Sequence, residues 1–235
     1  MQEQKKKEFA KLLAQIGAFF FKEGLKLKDG RPSPFFINMG KFSTGKLSYI
    51  LGSFYADMMV YYGIAEKVDI LLGPSYKGSA IVLATAVALW NKYGIDLLFD
   101  YDRKEVKSHG EMSGKKGIMV NNALFDGSKV FILDDVITSM KTKYDFISKI
   151  KTEAKVNGLK CEIIGLGIAV DREQSNIKEF TSNTGIPVYS ILKVSELVEY
   201  LYSEKIPVLI NDKWQFITKE IKEKVDEYLR LYKVN

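Results

Sequence analysis

Apolar positions near the start of the chain recur at three- and four-residue spacing. Phe9, Leu12, Leu13, Ile16 and Phe20 share one side of a helical projection, so Lys5 to Phe21 is predicted as an amphipathic helix. From Leu25 to Ile37 that period is lost. Short runs flank Asp29-Gly30, a dipeptide suited to a tight turn, which predicts a small hairpin. Leu47, Ile50, Leu51, Phe54 and Met58 restore helical spacing over about Lys46 to Tyr62.

Beyond that point short apolar runs alternate with helical stretches. Val68–Leu72, Asp96–Tyr101, Lys129–Leu133, Glu162–Val170 and Val188–Leu192 read as strands. Gly78–Trp90 reads as a small-residue apolar helix and Lys141–Val156 as a polar amphipathic one. In Trp214–Tyr232 the apolar residues Ile217, Ile221, Val225 and Leu229 fall every fourth position. Nearly continuous apolar strands separated by helices predict an α/β fold, a mostly parallel sheet flanked by helices on both faces. The economical division is an N-terminal helix and hairpin, residues 1–45, before a core with its C-terminal helix, residues 46–235.

Composition narrows this picture little. The 235 residues suffice for a real core without a disulfide or metal staple, and the single Cys161 can form no internal bridge. Cys161 opens an apolar run and is expected to be buried and inert. The net charge of +6 suits anionic ligands as well as it suits a plain lysine-rich surface. The charged segment from Gln2 to Glu8 lacks the apolar core of a signal peptide, and no apolar run reaches the roughly 18 residues of a membrane helix. A soluble, cytoplasmic protein is expected, with neither membrane nor nucleic acid as partner. The residues before Leu25 are too few for a DNA-binding domain and lack a helix-turn-helix pattern.

Ligands of open α/β sheets bind beyond the carboxyl ends of the strands, so the chemistry is sought there. After Val130–Leu133 come two adjacent carboxylates, Asp134 and Asp135, and then the turn Thr138-Ser139-Met140-Lys141-Thr142 before a helix. Carboxylates at a strand end can hold ribose hydroxyls or a metal's waters. Hydroxyls and amides at a helix N-terminus can hold a phosphate. The plainer alternative is an acid that merely caps the turn. Gly73-Pro-Ser-Tyr-Lys-Gly78 is a second strand-to-helix loop, either an ordinary turn or a pyrophosphate cradle with Lys77 as its cation. A third segment, Asp102 to Lys116, carries Arg103, Lys104, Lys107 and the only histidine, His109. Such a long polar loop either is solvated surface or closes over a polyphosphate, stabilising a leaving group and excluding water.

Six blocks in order carry a resemblance over about Leu25 to Leu201. They are Lys26-x-Lys-Asp-Gly-Arg-x-Ser-Pro-Phe-Phe-Ile-Asn38, Phe42-x-Thr-Gly45, Gly73-Pro-Ser-Tyr-Lys-Gly78, Arg103-Lys-Glu-x-Lys-x-His-Gly-Glu111, Asp134-Asp-Val-Ile-Thr138 and Asp171-Arg-Glu-Gln174. The chain resembles the orotate phosphoribosyltransferases, within the type I phosphoribosyltransferase fold. The resemblance implies that the N-terminal hairpin is a small hood over the core. It also implies Mg²⁺-dependent transfer of ribose 5-phosphate from phosphoribosyl pyrophosphate (PRPP) to orotate, a step of pyrimidine biosynthesis.

Roles follow from the same resemblance. Asp134 and Asp135 would bind the ribose hydroxyls. Thr138, Ser139, Lys141 and Thr142 would hold the 5′-phosphate. Lys77 and Lys26 would face PRPP, Phe36 would stack on the pyrimidine, and Arg172 would pair with orotate's polar edge. Arg103, Lys104, Lys107 and His109 would complete the neighbouring subunit's site in a homodimer. Mg²⁺ would be held through PRPP and water rather than by protein ligands. No fused decarboxylase domain is expected.

Three positions depart from the family pattern. Met140 stands where the phosphate turn normally has glycine, with Lys141 where a hydroxyl is expected, and Ile37 replaces an aromatic. A positive φ at Met140 would strain that turn. Two rival functions remain open, a phosphoribosyltransferase for another base and a PRPP-binding regulator without catalysis. A dinucleotide-binding protein is excluded, since no Gly-x-Gly-x-x-Gly follows the first strand.

Overall fold

The computed structural model describes residues 1–27, 30–104, 117–137 and 139–232. Lys107, His109 and Thr138, named above for the site, lie outside the described residues.

The main sheet has five parallel strands: β3 (Ile70–Gly73), β4 (Leu98–Tyr101), β5 (Ser128–Ile137), β6 (Cys161–Asp171) and β7 (Val188–Lys193), in the order β4-β3-β5-β6-β7. Successive side chains of a strand point to opposite faces, and both faces here are apolar. Leu71, Phe131 and Leu133 pack toward α2 (Gly45–Tyr61) and α3 (Lys77–Tyr93). Ile70, Leu72, Val130 and Ile132 pack toward α4 (Lys141–Val156), through Phe146, Ile147 and Ile150. Burial on both faces is why these strands read as unbroken apolar runs rather than alternating ones. Thr44 caps α2, its hydroxyl accepting the Leu47 N–H at 3.2 Å.

The strand order places a topological switch point between β3 and β5. The chain leaves β3 through α3 on one face and β5 through α4 on the other. A crevice therefore opens between their carboxyl ends.

A second sheet corrects the reading of the N-terminal segment. The first helix, α1 (Glu3–Gln15), ends earlier than Phe21, with Gly17 at φ +64° just beyond it. Phe19–Phe21 is then a strand, β1, antiparallel to β2 (Phe35–Ile37), so the hairpin is longer than its turn residues suggest. β1 also pairs in parallel with β8 (Val208–Ile210), and β8 with β9 (Lys213–Gln215). The hood thus takes strands from both ends of the chain. Trp214 belongs to β9, and the last helix, α7, begins only at Lys219 and runs to Tyr232. Its Tyr228 packs edge-on against Phe35, ring centroids 5.6 Å apart, which ties the helix to the hood. Two short helices had no counterpart in the periodicity reading, α5 (Ile177–Thr184) and α6 (Val194–Ser203).

Candidate active site

Both glycines of the Gly73–Gly78 loop serve close approach rather than unusual dihedrals. A Cβ on Gly78 would lie 2.6 Å from Pro74 Cδ, and one on Gly73 would collide with the Gly78 backbone. The loop therefore folds tightly onto the start of α3, with a cis Ser75–Tyr76 peptide. Lys77 projects from it, with 58% of its side chain exposed, and crosses the switch point to Asp135, Nζ to Oδ2 2.8 Å.

Asp134 and Asp135 are neighbours on β5, so the pleat sends them opposite ways. Asp135 faces the crevice. Asp134 is buried, its carboxylate accepting from the Asp135 N–H at 2.8 Å and from the Lys143 ammonium. Tyr55 of α2 donates its hydroxyl to the Asp134 carbonyl at 2.6 Å. Burial raises the Asp134 carboxyl above the ordinary range, the attraction of Lys143 opposes this, and the Asp135 charge adds to it. The Tyr55 phenol is held well above its usual value by burial and then by Asp135 and Asp134, so it remains a donor.

Lys143 was not singled out from sequence, yet a signal existed. It falls on the inward stripe of α4 at three, four and seven residues before Phe146, Ile147 and Ile150. A lysine there needs a buried acid, and Asp134 is nine residues earlier.

The phosphate turn is relaxed where strain was conceivable. Met140 has φ −81° and ψ −12° and packs partly buried against the core, so a side chain fits and no glycine is needed. Ser139, Lys141 and Thr142 are exposed around the N-terminus of the 16-residue α4, which no side chain caps. Its leading N–H groups and aligned peptide dipoles suit an anion.

The cation-bearing segment is held at both ends. The Arg103 N–H donates to Ile118 O at 2.8 Å, and Val120 N–H to Tyr101 O at 3.0 Å. Fully buried Asp100 accepts N–H bonds from Tyr101, Val120, Asn121 and Ala123 at 2.8–3.0 Å. Buried Glu153 of α4 accepts the Ile118 N–H at 2.7 Å. Arg103 turns back on this stem, donating to Val120 O at 3.3 Å. Lys104 leans toward the Gly73–Gly78 loop, its Nζ 5.3 Å from the Tyr76 ring centroid.

At the hood, Arg172 is buried at the end of β6. Asp171 accepts the Glu173 N–H at 2.7 Å and Glu173 sits at φ +60°, a tight turn that aims Arg172 at the hairpin. Its guanidinium lies 4.6 Å from the Phe35 ring and donates to Ser33 Oγ at 3.1 Å and Gln174 Oε1 at 3.2 Å. Gln174 Nε2 beside it is buried without a hydrogen-bond partner among the described residues. Phe36 points away from this cluster. It is exposed and rests against Phe20, centroids 5.7 Å apart, so Phe35 is the aromatic next to Arg172. Lys26 is exposed, at an isolated bridge with Pro32, while Asp134 and Asp135 hold Lys143 and Lys77. A cavity of about 540 Å³ lies elsewhere, between the hairpin and α7, lined by Phe21, Leu25, Pro34, Ile221 and Tyr228 among others. Lys77, Asp134, Asp135 and Arg172 are not among its lining residues.

A parallel sheet whose switch point joins a carboxylate pair, a lysine-bearing Gly-Gly loop and an open helix N-terminus is the frame of a phosphoribosyltransferase. No family profile matches the chain. It is 36% identical to the orotate phosphoribosyltransferase of Clostridium beijerinckii, over 97% of each chain. It is 37% identical to that of Bifidobacterium adolescentis, over 95% of this chain and 96% of the other. The crystal structure of orotate phosphoribosyltransferase from Francisella tularensis superposes with a TM-score of 0.74 at 27% identity, covering 96% of both chains. The chain belongs to the orotate phosphoribosyltransferases, pentosyltransferases of pyrimidine biosynthesis.

Proposed function

We propose that the crevice between β3 and β5 binds PRPP and that the hood side of it binds orotate, in a Mg²⁺-dependent transfer. The observation that carries this is the Lys77–Asp135 contact across the switch point. It brings a pyrophosphate-type cation to within 2.8 Å of a ribose-type carboxylate. With the Lys77 side chain largely exposed, that ion pair can open when a ligand competes for either partner.

On this reading Asp135 and Asp134 receive the ribose hydroxyls, with Asp134 held by Lys143. Ser139, Lys141 and Thr142, with Thr138, receive the 5′-phosphate at the α4 N-terminus. Lys77 takes the pyrophosphate from one side. Arg103, Lys104, Lys107 and His109, contributed by the neighbouring copy of the chain, take it from the other and exclude water as the bond to the anomeric carbon breaks. Arg172 presents a planar guanidinium to orotate's acceptors, with Gln174 as a second donor, while Phe36 offers an exposed ring and Lys26 a further cation. Orotate's ring nitrogen then bonds to the anomeric carbon as the bond to pyrophosphate breaks, and the nitrogen's proton is released to solvent or to the departing pyrophosphate. Magnesium would be held through oxygens of PRPP and water rather than by protein ligands, an ion that keeps several of its waters beside substrate phosphates. Bound magnesium would offset charge growing on the pyrophosphate.

A homodimer is part of the proposal. On α3 the residues Ala80, Leu83, Val87 and Trp90 form an exposed stripe continuous with Tyr76, at helical spacing. Leu83, Val87 and Trp90 are 43–57% exposed, a row of large apolar side chains that a second subunit would cover. Among the described residues no helix is long and apolar enough to cross a membrane, and the cytoplasm is the proposed setting.

The test follows orotate absorbance with purified protein, PRPP and Mg²⁺, beside Lys107→Ala. Orotate consumption that needs both additions and falls by about 100-fold or more in the variant is expected for a preorganised charge-stabilising donor. Consumption of another base in place of orotate, or none with PRPP still bound, would refute the reading.

A further inference from the structure

Ser33 stands on the outgoing arm of the hood hairpin and is buried, 5% exposed. Its N–H donates to Leu25 O on the incoming arm at 3.0 Å, which fixes its place in the hairpin. Its hydroxyl works in both directions. It donates to Phe35 O at 2.7 Å and accepts from Arg172 Nη2 at 3.1 Å. The Phe35 ring lies 4.6 Å from the same guanidinium, and Tyr228 of α7 backs that ring edge-on. Gln174 Oε1 accepts from Arg172 Nε at 3.2 Å. One hydroxyl therefore joins the hairpin that carries Phe35 to the cation at the end of β6, 139 residues away along the chain.

We propose that Ser33 is a positioning residue that sets the plane of the Arg172 guanidinium, and through it the affinity for orotate. It acts through Arg172 rather than on substrate, because it is buried and its one proton is committed to Phe35 O. The chemistry calls for a hydroxyl. A backbone carbonyl only accepts and a guanidinium only donates, so a group standing between them must do both. With the proton turned to Phe35 O, the oxygen presents its lone pairs to Arg172. The guanidinium is a rigid planar fork, and holding two of its nitrogens, Nη2 by Ser33 and Nε by Gln174, fixes the plane in which it meets the two oxygens of a carboxylate. A hydroxyl orients the cation without adding a charge that would compete with an anionic substrate.

The inference rests on the reading that Arg172 receives orotate. It is tested with the full-length chain carrying Ser33→Ala, Ser33→Cys, Arg172→Lys, and Ser33→Ala combined with Arg172→Lys, measuring kcat and both KM values alongside thermal melting. Ser33→Ala is expected to raise KM for orotate about three- to tenfold, the size of one hydrogen bond, with kcat and KM for PRPP changed less than about twofold. Ser33→Cys keeps a small side chain while weakening both bonds and should fall between the parent and Ser33→Ala. If Ser33 acts through Arg172, the double variant should lie within about twofold of Arg172→Lys alone. A lowered melting temperature with KM for orotate unchanged overturns the proposal, as does a double variant in which the two effects multiply in full. If the unmodified protein consumes no orotate, the substrate reading fails on its own. Side-chain nitrogen NMR without substrate then decides the positioning role. Faster rotation of the Arg172 guanidinium in Ser33→Ala than in the parent supports it, and an equal rate overturns it.

Discussion

Lys143 is the substitution from which most is expected at one position. Its side chain is 5% exposed and that of Asp134 10%, so Lys143→Met leaves a carboxylate buried beside one backbone N–H and without its counter-charge. Breaking a buried pair from one side costs about 3–5 kcal/mol. For a chain of this length that corresponds to a fall in melting temperature of about 6–20 °C. The sign of the pH dependence follows from the carboxyl. Burial already raises it in the folded state, and removing the Lys143 attraction raises it further. A carboxyl raised on folding favours the folded state most below its unfolded pKa and loses that contribution as pH rises through the folded pKa. The variant should therefore sit closest to the parent in acid and fall behind toward neutral pH. Urea unfolding of both proteins across that range is the assay. Adding Asp134→Asn should restore much of the stability while abolishing PRPP-dependent turnover. A Lys143→Met protein melting within about 2 °C of the parent at neutral pH would refute the buried-pair argument, since about 1 kcal/mol is then the most the pair could contribute.

Arg172→Lys removes a planar donor stacked on Phe35, and losing a charge-assisted hydrogen bond of about 1.5–3 kcal/mol should raise KM for orotate some 10- to 100-fold. KM for PRPP should stay near its parent value, and steady-state kinetics with each substrate varied in turn decides this. Val87→Asp with Trp90→Glu on the exposed face of α3 should shift sedimentation from dimer to monomer and cut turnover; an unchanged species would remove that face from the interface. Met140→Gly should leave PRPP affinity unchanged or lower and cost about 1 kcal/mol of stability through lost apolar packing, as read by calorimetry and denaturation. A large gain in activity would mean that the turn is impaired as it stands. Tyr228→Phe removes a buried hydroxyl that has no hydrogen-bond partner among the described residues and should raise stability by about 1 kcal/mol in thermal melts.

Much of the core is legible along the chain because its signals are local. α4 begins and ends where its periodicity says, and β3, β5, β6 and β7 lie within a few residues of their apolar runs. The strand-end positions of Asp134, Lys77 and Arg172 follow from the same runs. Other features depend on partners far away in sequence. The aromatic run Phe19–Phe21 has no period of its own and becomes a strand because β2 and β8 flank it, the latter about 190 residues on. β7 passes into α6 with no glycine or proline between, so a ten-residue helix left no punctuation to read. The chemistry divides in the same way. Sequence alone determined which side chains stand at the strand ends, since residue type and a strand's end are both local properties. Only the tertiary structure decided that Asp134 is held by Lys143, that Lys77 meets Asp135, and that Phe35 rather than Phe36 lies against Arg172. Those pairings depend on strand order, on which face of the pleat each residue takes, and on burial that makes an unpaired charge costly.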